Sequence, residues 1–225
     1  MVYLILFILL SIIPIIWSNY IFNKYDKIIP DMPFDGNEFG KILIKEFKLN
    51  DVRIEETSMG DHYDLDQKKV KVNDGRLSKR SLTSISVICH EIGHAIQHSQ
   101  NYSPLIKRTI LVKNTEWINK ISTALIYIGF PSIIALGSIS LIKICISIIL
   151  LSLLIGLIVH LITLEVELDA SFNKAYPILQ KKIPEIYHKP CYSILRAAAF
   201  TYLIGVFRNL ISLRVIWNLI TKIRF

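Results

Sequence analysis

The chain has 225 residues, 52% of them hydrophobic, a mean hydropathy of +0.44 and a formal net charge of +8, which is too apolar for a disordered segment and excludes an ordinary water-soluble domain. Its three cysteines, Cys89, Cys145 and Cys191, are odd in number and widely scattered, which argues against a disulfide framework and for buried thiols. The basic excess flanks apolar runs, so it reads as headgroup contact and topology, and no nucleic-acid partner is expected.

In chain order, the first apolar run, Val2 to Ile21, is long enough for one span of about 20 residues. It lacks the basic leader and small-residue cleavage site of a secretory signal, so residues 1–22 read as a retained anchor. Residues 23–120 form the soluble part, with Pro30 and Pro33 marking the linker into it. Phe39, Leu43 and Phe47, with Ile42 and Phe34, predict a short amphipathic helix, and Val52 and Ile54 a strand. A turn-like Gly60-Asp61-His62-Tyr63-Asp64 precedes a second strand, Lys68 to Val72. Residues 121–164 are an apolar stretch that fits two spans joined by a tight turn near Ser140 to Lys143. Residues 165–196 return to polar composition. Residues 197–225 carry a weaker apolar run in which Arg208 and Arg214 would be costly in lipid, so they read as a fourth span or an interfacial helix. Lysines and arginines crowd Asn23–Lys120 and Glu165–Arg196, while the turn between the second and third spans offers only Lys143. By the positive-inside rule both basic segments face the cytoplasm. The expected fold is a mainly α membrane protein, three to four transmembrane helices plus a small α+β domain.

Within the soluble part stands His90-Glu91-Ile92-Gly93-His94. At four-residue spacing on a helix the two imidazoles face the same way and can hold one zinc ion. The glutamate beside the first lies where it can take a proton from a bound water and pass it to a leaving amine. Ile85, Ile88, Ile92, Ala95 and Ile96 recur at helical spacing, and at about 100° per residue the histidines project from roughly the opposite side. Gly93 allows another segment to approach closely. The pattern points to metal-assisted amide hydrolysis on a peptide or protein substrate, with His90 and His94 as ligands and Glu91 as general base.

A catalytic zinc needs a third protein ligand. His98 lies two turns from His90, about 12 Å along the axis, and reads as a surface histidine. Better candidates lie in Thr163 to Ser171, immediately after the third span, where carboxylates re-enter the motif's side of the membrane.

The chain resembles the bacterial membrane neutral zinc metallopeptidases of the YugP type, a gluzincin-like family. The likeness is carried by an N-terminal span, Asp61-His62-Tyr63-Asp64, His90 to Gln97, Tyr102-Ser103-Pro104-Leu105 with Arg108, Val166 to Ser171, and Ala197-Ala198-Ala199-Phe200-Thr201-Tyr202. The resemblance implies one zinc per chain and Glu167, in a glutamate-x-x-alanine frame, as third ligand. Glu165 and Asp169 make a competing E-x-x-x-D frame, in which the glutamate binds zinc and the aspartate orients a histidine. An oxyanion donor is also required, and His62 or Tyr63 stand in order to supply it, although a turn-stabilising role suits them better.

Two rivals are weighed against this reading. An intramembrane protease would carry the motif in an apolar span, whereas Ser81, Thr83, Ser84 and Ser86 precede it here and Gln97 to Asn101 follow it. A zinc-binding membrane scaffold or transporter without peptidase activity would have no use for Glu91, and a transport path calls for polar residues within the spans, where His160 and a few serines stand. Oligomeric state and natural substrate are not encoded in any recognisable pattern.

Overall fold

The computed structural model describes residues 2–129, 132–133 and 138–222. Helix α1 (Val2–Tyr25) leads into α2 (Gly36–Glu46), then strands β1 (Arg53–Thr57), β2 (His62–Asp64) and β3 (Lys69–Asn73). Helices α3 (Leu82–Ser99) and α4 (Ser103–Ala124) follow, then the long α5 (Ile139–Leu168). A π-helical turn, Asp169–Ala175, joins α5 to α6 (Tyr176–Lys182), and α7 (His188–Lys222) closes the chain.

Local chemistry sets the layer that carries the sheet. Asp35 caps α2 by accepting from the Glu38 amide while the Glu38 carboxylate accepts from the Asp35 amide, a capping box. Phe39 and Leu43 then face inward, whereas Ile42 and Phe47, expected on the same face, lie outside. The three-stranded sheet has the order β1-β3-β2, with β1 parallel and β2 antiparallel to β3. Val70 and Val72 of β3 are fully buried and join one core with Ile85, Ile88 and Ile92 of α3. The segment read as a turn, Gly60 to Asp64, is therefore half turn and half strand. Gly60 takes φ +94°, which glycine adopts without strain, and the next residues pair with β3. The strand nearest the motif helix in sequence, β3, is thus central, and the edges are β1 and β2.

Among the described residues, three helical stretches are long and apolar enough to cross a membrane: Ile5–Tyr25, Ser140–Lys182 and Glu185–Arg214. α7 packs against both α1 and α5, with Trp17 edge-on to Phe200 at 5.2 Å. The tight turn expected near Ser140 to Lys143 is not there. Those residues contain no glycine or proline and form the first turns of α5, whose N-cap is the extended Ser138. Helix α4 begins well before residue 121 and does not qualify as a span among the described residues.

The sheet-bearing layer is tied to α1 at the start of α3. Ser81 Oγ donates to Asp26 Oδ1 at 2.8 Å, Lys79 pairs with Asp26 at 2.6 Å, and Thr83 Oγ1 donates to the Phe22 carbonyl at 2.8 Å. These bonds fix where the motif helix stands relative to the first apolar helix.

Candidate metal centre

Ser81 caps α3 by accepting from the Ser84 amide, and from Leu82 to Gln97 every residue of the helix is buried. The helix is therefore not amphipathic toward water, and the face carrying the histidines is covered by other protein. His90 and His94 stand one turn apart, with ring centroids 4.7 Å from each other. Glu167, at the end of α5, closes the group: its Oε2 lies 3.1 Å from His90 Nε2 and 3.5 Å from His94 Nε2. One donor atom from each of the three falls within 4.8 Å of the others.

The reason Glu167 reaches this point is a change of helical pitch. Directly after Leu168 the chain widens into the π turn, a feature that recurs at functional sites. That turn lies along the exposed backbone of Gly93, where a Cβ would stand 2.9 Å from the Ala170 carbonyl oxygen. Gly93 is thus the close-approach site that the motif's composition allowed. Glu165, two residues earlier and so turned by about 200°, is exposed and engages Tyr102 instead.

A second set of bonds orients the imidazoles. Gln97 Nε2 donates to the Val166 carbonyl at 2.9 Å and to Asp169 Oδ2 at 2.8 Å, which leaves its Oε1 to accept from His94 Nδ1 at 3.0 Å. Ser171 Oγ meets His90 Nδ1 at 3.2 Å. With Nδ1 engaged on both rings, both Nε2 atoms face Glu167, the arrangement that fixes a ligand's tautomer. Asp169 does orient a histidine, but through Gln97 and not directly.

The electrostatics follow from this packing. Two imidazole lone pairs facing one carboxylate repel unless a positive charge lies among them, supplied by protons or by a cation. Burial by itself pushes the His94 imidazole down, but the Glu167 carboxylate beside it carries it up to about 9. Burial pushes the Glu91 carboxyl up, with the nearby His90 and His94 rings opposing and the Glu167 and Asp61 carboxylates reinforcing. A carboxyl raised in this way is better matched to taking and returning a proton near neutral pH. The Cys89 thiol, buried against the Ala175 carbonyl, is pushed well above its ordinary range and is inert packing.

Other candidates fall elsewhere. His62 Nδ1 is bound to the Gly60 carbonyl at 2.9 Å, and the Tyr63 hydroxyl is bound to His98 Nδ1 at 3.0 Å, so both serve the β2 turn and its packing on α3. His98 is accordingly half-buried and partnered, not a free surface histidine. Three groups at the centre escaped sequence reasoning: Gln97, Ser171 and Tyr202. The string Ala197 to Tyr202 pointed at the last, but only the packing of α7 brings its phenol beside Glu167 and into the cavity lined by His90 and Glu91.

Two imidazole nitrogens and a carboxylate oxygen are the donor set of catalytic zinc sites that keep a fourth position for water, so the residues present fit that ion. The sequence profile of a family described as "Putative neutral zinc metallopeptidase" matches residues 1–222. A relative from Bacillus subtilis (strain 168), "Putative membrane protease YugP", is 30% identical over 195 residues, covering 85% of this chain and 83% of that protein. No solved structure matches the chain. With the profile spanning nearly all of its length, the chain belongs to the neutral zinc metallopeptidase family so described.

Proposed function

We propose that the protein is a multi-pass membrane metalloendopeptidase whose small zincin-like domain hydrolyses peptide bonds on the cytoplasmic side of the cell membrane. The observation that carries the reading is the buried convergence of His90, His94 and Glu167 with Glu91 held beside them. These three side chains would hold one zinc ion, which supplies a Lewis acid and an acidified water at the scissile carbonyl. Glu91 accepts the proton of the attacking water and returns it to the leaving amine. Gln97 and Ser171 keep the two imidazoles in the ligating tautomer. Tyr202, whose hydroxyl hydrogen-bonds Glu167, would exchange that bond for one to the oxygen that gains charge as the carbonyl is attacked. A scaffold or transporter would need the three ligands but not a buried carboxyl next to them.

Glu91→Gln tests the chemistry. Zinc content should stay at one per chain while proteolysis falls about 100- to 10,000-fold. Activity retained in the zinc-loaded variant would remove the enzyme assignment. Sidedness is tested by cysteine labelling in a background lacking the native cysteines, with positions 75 and 185 expected on the cytoplasmic side and position 141 on the other. Labels on opposite faces for 75 and 185 would contradict a cytoplasmic site built from both segments.

A further inference from the structure

A cavity of about 200 Å³ opens between α1, α3 and α7, and His90 and Glu91 form part of its lining. The rest is mostly apolar: Phe22 from α1, Val87 from α3, and Ile194, Leu195 and Ala198 from α7. Besides Glu91, the acid in the lining is Asp61, whose Oδ1 accepts from the Asn73 amide at 2.7 Å and from Arg76 Nε at 2.9 Å. Its charge is already matched, so it offers no free counter-ion to a charged guest, and Arg76 is likewise engaged. An apolar cavity of about 150 Å³ is known to accommodate benzene, so this volume suits a single leucine- or phenylalanine-sized side chain. Phe22 and Ser18 belong to the apolar stretch Ile5–Tyr25, and Ile194 to Tyr202 belong to Glu185–Arg214. The cavity is thus walled by two candidate membrane helices and is continuous with the metal centre.

We propose that this cavity is the specificity pocket for one large apolar residue flanking the scissile bond, in a peptide segment presented at the membrane surface. The proposal rests on the peptidase reading above and adds the class of substrate. A peptide bond anchored by such a side chain lies beside Glu91, and Ser18 and Phe22 set that bond near the end of the apolar stretch Ile5–Tyr25. Soluble polar peptides would lack the anchoring side chain and be poor substrates.

The full-length protein in lipid nanodiscs provides the test. With the Glu91→Gln form, a peptide carrying p-benzoylphenylalanine at one position next to the intended scissile bond should photo-crosslink to residues within 18–22 or 194–202, located by mass spectrometry. Ala198→Phe, which fills the cavity, should reduce that crosslink at least about tenfold, and Ser18→Leu narrows it from the opposite wall should the first variant fail to accumulate. With the protein carrying native Glu91, a peptide library should show about tenfold or greater preference for leucine or phenylalanine over alanine at the same position, and Ala198→Phe should abolish that preference at unchanged zinc content. Crosslinks elsewhere, or crosslinks and preference unmoved by both variants, would overturn the pocket. A photoactivatable fatty acid that labels the same residues and is not displaced by the peptide would also overturn it, by assigning the cavity to lipid. Cavity crosslinks that are sensitive to Ala198→Phe, together with absence of cleavage of every peptide by the zinc-loaded protein, would keep the pocket and defeat the peptidase reading instead.

Discussion

Helices α3 and α5 are both rich in isoleucine and both supply side chains to the candidate metal centre, yet they stand in different surroundings. In α3, Ile85, Ile88 and Ile92 are wholly enclosed by the sheet, α2 and the segment after α5. In α5, Leu151, Leu154 and Ile158 each leave 50% of their surface uncovered by protein, as suits side chains facing lipid. The polar donors obey the same division. α3 carries two imidazoles in mid-helix because it is surrounded by protein that can satisfy them. α5 carries its one donor at the end, where the helix leaves the apolar stretch, widens and sinks against Gly93. Apolar composition alone thus does not distinguish a core helix from a lipid-facing one, whereas the placement of polar groups does.

The sharpest way to break this contrast is at the donors themselves. Glu167→Ala should abolish stoichiometric zinc binding, because only two imidazoles remain, while Glu165→Ala, two residues away and pointing to Tyr102, should leave one zinc per chain. Zinc titration of the detergent-purified variants reads the difference, and the reverse pattern would mean that the E-x-x-x-D frame is the working one.

Packing comes next in size. Ile88→Ala should cost about 2–5 kcal/mol in reversible unfolding, since it leaves a hole in a closed core. Leu154→Ala in α5 should cost less than about 1 kcal/mol, because lipid or detergent fills the space it leaves. Equal costs would show that α5 is also a core helix.

Tyr202→Phe separates the contribution of α7 from both. Loss of an oxyanion donor of this kind lowers kcat by about 100-fold or more. KM and zinc content should change little if Tyr202 acts only on the oxygen that gains charge. A parallel loss of zinc would instead make it a support for Glu167. The smallest effect at the metal centre is expected at Gln97, which links the two helices through His94, Val166 and Asp169. Gln97→Ala should weaken zinc binding by about 10- to 100-fold without removing the site.

Much of this was legible in the sequence because it depends on short spacing or on bulk transfer energy. The helix carrying His90, Glu91 and His94 was set by a local string, and the apolar stretches in α1, α5 and α7 by their run lengths. Other features were hidden by competition between neighbours. Gly60 to Asp64 reads as a turn until β3 offers its open edge to His62, Tyr63 and Asp64. Ser140 to Lys143 looked like a turn by polarity, but without glycine or proline nothing there stops a helix.

The sequence by itself determined the helix that carries His90, Glu91 and His94 and the division of the chain into apolar and polar stretches, because helical spacing and hydropathy act over a few residues. It left Glu165 and Glu167 both open, since two carboxylates in one polar segment have the same chemistry until a backbone assigns them directions. Only the tertiary structure decided between their positions, by laying the π turn on Gly93 so that one side chain points inward and the other out. The same packing alone brought Gln97 to Asp169 and Tyr202 to Glu167, contacts between residues far apart in the chain that no local pattern encodes.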